Sequence, residues 1–372
     1  MNRPLRLVVL GLSLSSSWGN GHATTYRALL KAFAARGHDV LFLERDVPWY
    51  AEHRDLPEPG FCRFALYPDL AALDAWRGEI AGADAVIVGS YVPDGIAVGD
   101  RVLAWAEGRA VFYDIDTPVT LARLEAEDCA YLARRQIADY GLYLSFTGGP
   151  TLRLLEEAYG SPAARALYCS VDPQAYPPLE RAPAYDLSYL GTYSPDRQPT
   201  LERLLLEPAR RAPELRFCVA GPQYPDTIAW PANVSRIAHC PPDQHPEFYA
   251  ASRYTLNVTR ADMIRAGYSP SVRLFEAACV GTPIISDSWD GLATILTPGS
   301  EIITAEAPDE VLSILRRQPE VSRRRIGAAA RARVLDRHSA AHRALELEEI
   351  LRAAIAMQGA AGELHPLAEA RA

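Results

Sequence analysis

The residues of this sequence best suited to chemistry on a charged ligand lie in one short segment, 269–287, which reads SPSVRLFEAACVGTPIISD. Ser269 is of a type that caps helices, and Pro270 suits the first helical position. Gly281 is placed to end the helix, and Thr282-Pro283 then leads into a strand, IISD. A short helix in this setting turns its unpaired N–H groups toward a strand's mouth, where they favour an anion such as a diphosphate. Arg273 and Glu276, three residues apart, share one helix face, while Leu274, Ala277 and Ala278 form the buried stripe. An Arg near a helix N-terminus forks onto phosphate oxygens. A carboxylate one turn further in accepts two hydrogen bonds from the vicinal hydroxyls of a ribose. The competing reading is a surface pair between the same two residues.

Further candidates stand where strands end. Arg197, in TYSPDRQ, is within reach of a diphosphate or else is a turn Arg paired with Asp196. Arg260 follows TLNVT at the carboxyl edge where open α/β sheets bind ligands. Gly221-Pro222-Gln223-Tyr224 closes another strand there; Gly221 and Tyr224 would flank a base, or serve only as turn chemistry. In the first half, SSSWGNGH (15–22) joins strand to helix. Gly19 and Gly21, with Asn20 between them, permit close backbone approach to a ligand. His22 opens the helix, where the dipole keeps an imidazole neutral and fit to act as base or hydrogen-bond donor; a solvent-facing His is the alternative. Asp114 and Asp116 end the strand AVFYDI, with Asp116 or Thr117 able to cap a helix beginning at Pro118. Thr147 and Gly148 end a strand at the same rim and would line the acceptor side.

These residues need a scaffold of parallel strands. Strands are expected at 5–12, 39–44, 84–90, 110–115, 142–146 and 166–170, with helical patterns at 24–36, 70–80, 97–107, 118–138 and 150–159. After a Pro-rich stretch, DPQAYPPLERAP, a second series begins, with strands at 186–192, 215–221, 234–238, 254–258 and 284–287. Helices are expected near 199–211, 245–251 and 270–280. The domain reading is 1–171, a linker 172–183, a second domain 184–340, a returning helix 341–358 and a frayed tail 359–372.

Composition sets the outer limits. A chain of 372 residues exceeds one ordinary core. A net charge of −8 argues against general binding to nucleic acid or anionic membrane. The six cysteines form no CxxC pair or zinc-like cluster, which reads as a reducing, cytoplasmic setting with no structural metal. LVVLGLSL near the start reads as a buried strand rather than a signal peptide, and no run reaches the roughly 18 apolar residues of a membrane span.

The segment 269–287 resembles the donor-binding helix of GT-B glycosyltransferases, in particular the CgeB-like (spore maturation protein) family, through Arg273, Phe275, Glu276, Gly281, Pro283 and Asp287. The likeness continues through LGTYSPDRQ, VAGPQYP, LNVTRADM, WDGL and PGSEI, and in the first half through SSSWGNGHATTYR and FYDIDTPVTL. It implies the GT-B architecture: two Rossmann-like, doubly wound α/β domains with a cleft between them and a C-terminal helix crossing back. Glu276 would then hold the nucleotide ribose, and Ser271, Val272 and Arg273 the diphosphate. Many retaining members carry a second Glu eight positions earlier, against the donor sugar, where this chain has Tyr268.

The implied activity transfers a sugar from a nucleotide-diphosphate donor, linked to UDP, GDP or TDP, onto an unknown acceptor. No separate cofactor is expected. Arg273, Arg197 and helix N–H groups would meet the leaving-group charge, so metal independence is expected. The acceptor proton would pass to Asp114 or His22, with inversion, or to the departing phosphate, with retention, which the family analogy favours. Two rivals remain. One is a dinucleotide-dependent oxidoreductase, for which Gly19-x-Gly21 and Glu44, 23 residues beyond Gly21, loosely mimic the fingerprint. The other is a catalytically silent sugar- or nucleotide-binding protein of the spore or envelope.

Overall fold

The computed structural model describes the backbone of residues 3–369 and the side chains of residues 3–357. Two compact units divide the chain: Met1–Tyr168 with Ala341–Ala372, and Cys169–Ala340.

The first unit is built on seven strands: β1 (Arg6–Gly11), β2 (Asp39–Arg45), β3 (Arg63–Tyr67), β4 (Ala85–Gly89), β5 (Ala110–Asp114), β6 (Leu142–Ser145) and β7 (Ala164–Ala166). They pair in parallel in the order β3-β2-β1-β4-β5-β6-β7. Parallel strands are covered on both faces, which is why the central ones are continuous apolar runs. Val9, for example, lies opposite Phe42 on one side and Ile87 on the other, and all three are buried. The second unit repeats the plan with β8 (Tyr185–Leu190), β9 (Phe217–Ala220), β10 (Val234–Ile237), β11 (Ser252–Asn257), β12 (Ile284–Ser286) and β13 (Ile303–Thr304). Their order is β10-β9-β8-β11-β12-β13, again all parallel. Both sheets are therefore doubly wound and Rossmann-like. The strand order reverses between β1 and β4 and between β8 and β11, and crevices for ligands open at the carboxyl ends of such strand pairs.

Several local expectations need correction. The edge strand β3, RFALY, is absent from the strands expected above; Pro57, Pro59 and Gly60 just before it are loop formers that mask a five-residue signal. The strand expected at 166–170 lies earlier, at β7. The helix expected over 118–138 is two pieces, Thr117–Glu125 and Arg134–Asp139, interrupted where Glu127 takes a left-handed φ of 56°. The pattern at 199–211 is helical but contains a widened turn, Glu202–Leu206, just before Pro208, whose missing N–H cannot continue the ladder. The donor-type helix spans Val272–Val280 with Ser271 as its N-cap, so Ser269 and Pro270 precede it. Its whole length from Arg273 to Val280 is buried, not one stripe.

The long helix Ala340–Glu369 carries the chain back onto the first unit. Leu347 and Leu351 are buried, Glu348 accepts from Arg36 Nη2 at 2.6 Å, and Arg352 Nη2 donates to the Arg3 carbonyl at 2.8 Å. Its backbone stays helical through much of the stretch expected as a frayed tail; residues 370–372 lie outside those described. Among the described residues no helix is long and apolar enough to cross a membrane. Leu351→Ala should therefore cost about 2–5 kcal/mol of stability, read from the shift in a urea unfolding midpoint. An unchanged midpoint would mean that the returning helix is only loosely attached.

Candidate functional site

In the second unit, Glu276 lies on the buried helix Val272–Val280, and only 4% of the residue is exposed. Its carboxylate is held by hydroxyls. Tyr176 donates to Oε1 at 2.9 Å, Tyr249 donates to Oε2 at 3.0 Å, and His245 Nδ1 lies 3.6 Å from Oε2. Burial alone would push this carboxyl up, but hydrogen bonding and charge from His245, with the two tyrosines, hold it below the usual range. Each carboxylate oxygen has two acceptor directions; Tyr249 and His245 face the two on Oε2, and Oε1, with Tyr176 on one, keeps the other for a further donor. Tyr176 belongs to the Pro-rich stretch read as linker, and Tyr249 and His245 belong to the helix His245–Ala250. No motif in the sequence pointed to any of the three.

The surface-pair reading of Arg273 and Glu276 is overturned by burial, since Arg273 is only 6% exposed and bonds elsewhere. Its Nε donates to the Leu190 carbonyl at 2.5 Å, its Nη1 donates to Asn257 Oδ1 at 3.0 Å, and its guanidinium lies 4.7 Å from the Tyr189 ring centroid. No carboxylate forms an ion pair with it among the described residues. A buried cation held only by neutral groups attracts an anion. Asn257, at the end of β11, was also missed. Its Oδ1 accepts from Ser271 Oγ at 2.7 Å as well as from Arg273, and its Nδ2 donates to Ser286 Oγ at 2.9 Å and Thr259 Oγ1 at 3.2 Å. Ser271 therefore points its hydroxyl at Asn257 and does not cap the helix, which leaves the first-turn N–H groups, Val272 among them, without a side-chain cap.

Arg197 gathers near the same edge. Its Nη2 donates to the Thr192 carbonyl at 3.2 Å, and its Nε is buried with no hydrogen-bond partner. It makes no ion pair with Asp196 among the described residues; instead Ser194 and the charges of Arg260 and Arg197 hold Asp196 below its usual range against the effect of burial. Arg260 is the N-cap of the short helix Ala261–Ala266. Gly221 has φ 140°, and a Cβ there would overlap the Gly191 carbonyl, so glycine is required for the two strand ends to meet. Tyr224 donates to that carbonyl at 3.1 Å. Arg236, missed in the sequence, lies between Tyr224 and Trp230, 4.2 and 4.1 Å from their ring centroids. Tyr268 takes a left-handed φ of 47°, with its N–H on the Asp290 carbonyl and its ring packed over Gly291.

In the first unit, the loop after β1 is shaped from inside by Glu44, a fully buried residue of β2. Its Oε2 accepts from the N–H groups of Leu14 at 2.6 Å and Ser15 at 2.9 Å; its Oε1 accepts from Ser15 Oγ at 2.6 Å and Ser13 Oγ at 3.2 Å. That occupancy overturns the oxidoreductase reading, which needed Glu44 free for a ribose. Asn20 caps the following helix, His22–Ala35: its Oδ1 accepts from Ala23 N at 3.0 Å, and its Nδ2 donates to the Ser16 carbonyl at 3.2 Å. Gly19, at φ 67°, and Gly21 have open space where a Cβ would stand.

His22 is buried, not solvent-facing, and its Nδ1 has no hydrogen-bond partner. Burial pushes its pKa down to about 4, only partly opposed by the charge of Asp116. Tyr91 lies edge-on to His22 at 5.3 Å and donates to Asp116 Oδ2 at 3.3 Å. Asp116 is the N-cap of Thr117–Glu125 without a side-chain cap bond. Asp114, by contrast, is fully enclosed: Oδ2 accepts from Tyr143 at 2.5 Å, and Oδ1 accepts from Thr120 Oγ1 at 2.8 Å and Asp116 N at 3.1 Å. Burial pushes it up to about 6 despite these bonds. Thr147 and Gly148 are buried too, with Tyr168 filling the space a Cβ at Gly148 would need. Among the described residues no group of three or more His, Cys, Asp or Glu is arranged to hold a metal.

Because Asp114 titrates higher folded (about 6) than unfolded (near 3.8), its contribution is full below pH 4 and is lost as pH rises through 6. The loss amounts to roughly 3 kcal/mol. Asp114→Asn should remove this loss, narrowing the difference in unfolding free energy between pH 4.5 and pH 8. An unaltered pH dependence in the variant would contradict the enclosed carboxyl.

Residues 197–349 match the family model described as glycosyl transferase-like. No curated protein matches the chain in sequence. Among solved structures, the chain is similar to a sucrose-phosphate synthase from Thermosynechococcus elongatus, at 14% identity and TM-score 0.67, covering 95% of this chain and 100% of that one. It is similar to the Anabaena protein HepE in complex with UDP and glucose, at 12% and 0.68, covering 94% and 99%. An alpha-glucosyltransferase in complex with UDP matches at 12% and 0.70, covering 94% and 100%. The chain thus has the GT-B fold of glycosyltransferases, and its second unit carries most of the glycosyl transferase-like sequence.

Proposed function

We propose that this protein is an enzyme that transfers a glycosyl group from a nucleoside diphosphate sugar to an acceptor hydroxyl. The donor binds the second unit, and the acceptor binds the first. One observation carries the reading: a buried guanidinium without a carboxylate partner, Arg273, and a buried ionised carboxylate, Glu276, share one helix yet do not neutralise each other. A diphosphate and a ribose diol supply the complementary pattern. Arg273, Arg197 and the uncapped N–H groups after Ser271 stabilise charge on the departing diphosphate, in a setting where such donors are worth more than in water. In this reading no metal is needed, so turnover persists in excess EDTA.

UDP is the first nucleotide to test, since HepE and the alpha-glucosyltransferase are each seen with it. The motif around Arg273 and Phe275 supports a CgeB-like assignment, and six free cysteines support a reducing, cytoplasmic setting. Retention is the proposed outcome: the acceptor proton passes to the departing phosphate, and neutral His22 orients a hydroxyl. An inverted anomeric product by proton NMR would instead make His22 the base.

UDP should raise the melting temperature, whereas NAD should not; at a hundredfold excess over Kd the stabilisation is about 2.7 kcal/mol. Glu276→Gln keeps the side-chain volume, which Glu276→Ala would not, since truncation strands two buried tyrosine hydroxyls. The Gln variant should weaken UDP binding at least tenfold by calorimetry while remaining folded. Equal affinity in the variant would refute the ribose assignment, and donor binding without turnover on any acceptor would favour the silent-binder alternative.

A further inference from the structure

The loop that carries His22 is flanked by exposed tryptophans. Trp18 and Trp49 are 41% and 53% exposed, and no other Trp among the described residues is exposed to this degree. One ring stands on the loop after β1 and the other on the short helix Pro48–Ala51, and each offers an amphipathic aromatic surface that a ligand can cover. Trp18 is not a loose side chain. Its ring stacks on His53 at 4.7 Å between centroids and 21° between planes, which leaves the opposite indole face open. The two loops are pinned together beneath it: Ser16 Oγ donates to the His53 carbonyl at 2.7 Å, and Ser17 N and Oγ donate to Asp55 at 2.9 and 2.7 Å. Asn20 braces the first loop, its Nδ2 donating to the Ser16 carbonyl at 3.2 Å and to the Trp18 carbonyl at 3.3 Å.

The surroundings decide what such a platform binds. A hydrocarbon chain or a protein partner needs continuous apolar surface. Here each indole stands among polar groups: Ser17 and Asn20 beside Trp18, and Glu52 just beyond Trp49. An anionic ligand needs an available cation, but Arg27 is committed to Asp55 at 2.7 Å and Arg54 to Asp46 at 2.5 Å. A pyranose ring meets both conditions. One face of it is lined by C–H bonds that stack on an indole, its rim is hydroxylated, and it carries no charge.

Resting on the glycosyltransferase reading above, we infer that the acceptor is an uncharged saccharide, with one pyranose stacked on the open face of Trp18 and the chain continuing past Trp49. The first unit is thereby a carbohydrate-binding surface whose hydroxyl-bearing ligand lies beside His22. At Gly19 and Gly21 no atom beyond the adjoining residues of the chain lies within 4 Å of the point where a side chain would begin, so the backbone there is open to a ligand.

Saturation-transfer NMR on the full chain tests this without turnover. The probes are neutral trisaccharides with gluco, galacto, manno and N-acetylglucosamine units, set against glucose 6-phosphate and octyl alcohol. At least one trisaccharide should show saturation on its ring C–H protons. That signal should fall at least fivefold in Trp18→Ala and be largely restored in Trp18→Phe, while the UDP-induced melting shift stays as in the wild type. Trp18→Ala removes an exposed ring, and the retained UDP shift also reports that the variant is folded. Binding of the phosphate or the alcohol without any neutral trisaccharide would overturn the inference, as would trisaccharide binding indifferent to Trp18. Absence of a UDP shift in the wild type would instead count against the donor reading, so the two failures are distinguishable.

Discussion

A positive charge buried without a negative partner is the constraint around which the second unit is arranged. Taking a guanidinium out of water is costly unless its donors are filled. Arg273 fills them with the last carbonyl of β8, the side chain of the last residue of β11 and the face of Tyr189. Those two strands are the ones between which the sheet reverses its order. The topology thus delivers, at one point, the carbonyl, the amide and the helix start that the charge requires. Asn257 is the joint: one oxygen serves Arg273 and Ser271 together, and its nitrogen ties β11 to β12 through Ser286. Because the groups that satisfy Arg273 are neutral, its charge is solvated but not cancelled, and the positive potential remains directed to the helix N-terminus.

The first unit treats its acidic groups in the opposite way. Glu44 and Asp114 are both fully buried, and each is spent on its own framework. Glu44 gathers four donors from the loop after β1, and Asp114 gathers three from β6 and from the turn and helix that follow β5. At the strand ends, Asp116, Tyr91 and a neutral His22 stand together instead. A carboxylate near a strand's carboxyl end is therefore not in itself a reactive one. Its partners decide, and the most deeply buried acid here is the least available.

How much of this the sequence could show follows from the range of the interactions. The parallel sheets were legible because apolar runs and helical periods are local, and Glu276 and Arg273 were legible because their spacing places them on one helix. Their partners were not. Tyr176 lies 100 residues before Glu276 and sits in a proline-rich stretch whose composition speaks only of loop; Tyr249, 27 residues before it, reads as an ordinary buried aromatic. Asp114 and Asp116 look alike in FYDIDTP, yet one faces Tyr143 and Thr120 while the other faces Tyr91. Alternation along the strand puts them on the same side in sequence terms, but the strand ends at Asp114 and the turn that follows breaks the pattern. The edge strand β3 was lost for a related reason: its proline neighbours outweigh a five-residue signal.

The same division between fixed framework and free surface bears on how a fold can persist at 11–16% identity to its structural relatives. Tyr268 marks the boundary. A non-glycine residue at φ 47° carries a backbone cost of roughly 1–3 kcal/mol, sustained only where its neighbours leave no other path. Here the Asp290 carbonyl holds the N–H, and the bare Gly291 makes room for the ring. The conformation of this loop is thus set by the chain on the far side of it, not by Tyr268 itself. A position whose backbone is dictated from outside tolerates exchange of its side chain more readily than one, such as Asn257, whose side chain is the dictating group. The placement of Arg273 rests on a residue of the second kind, whereas a residue of the first kind, such as Tyr268, can change without moving the backbone around it.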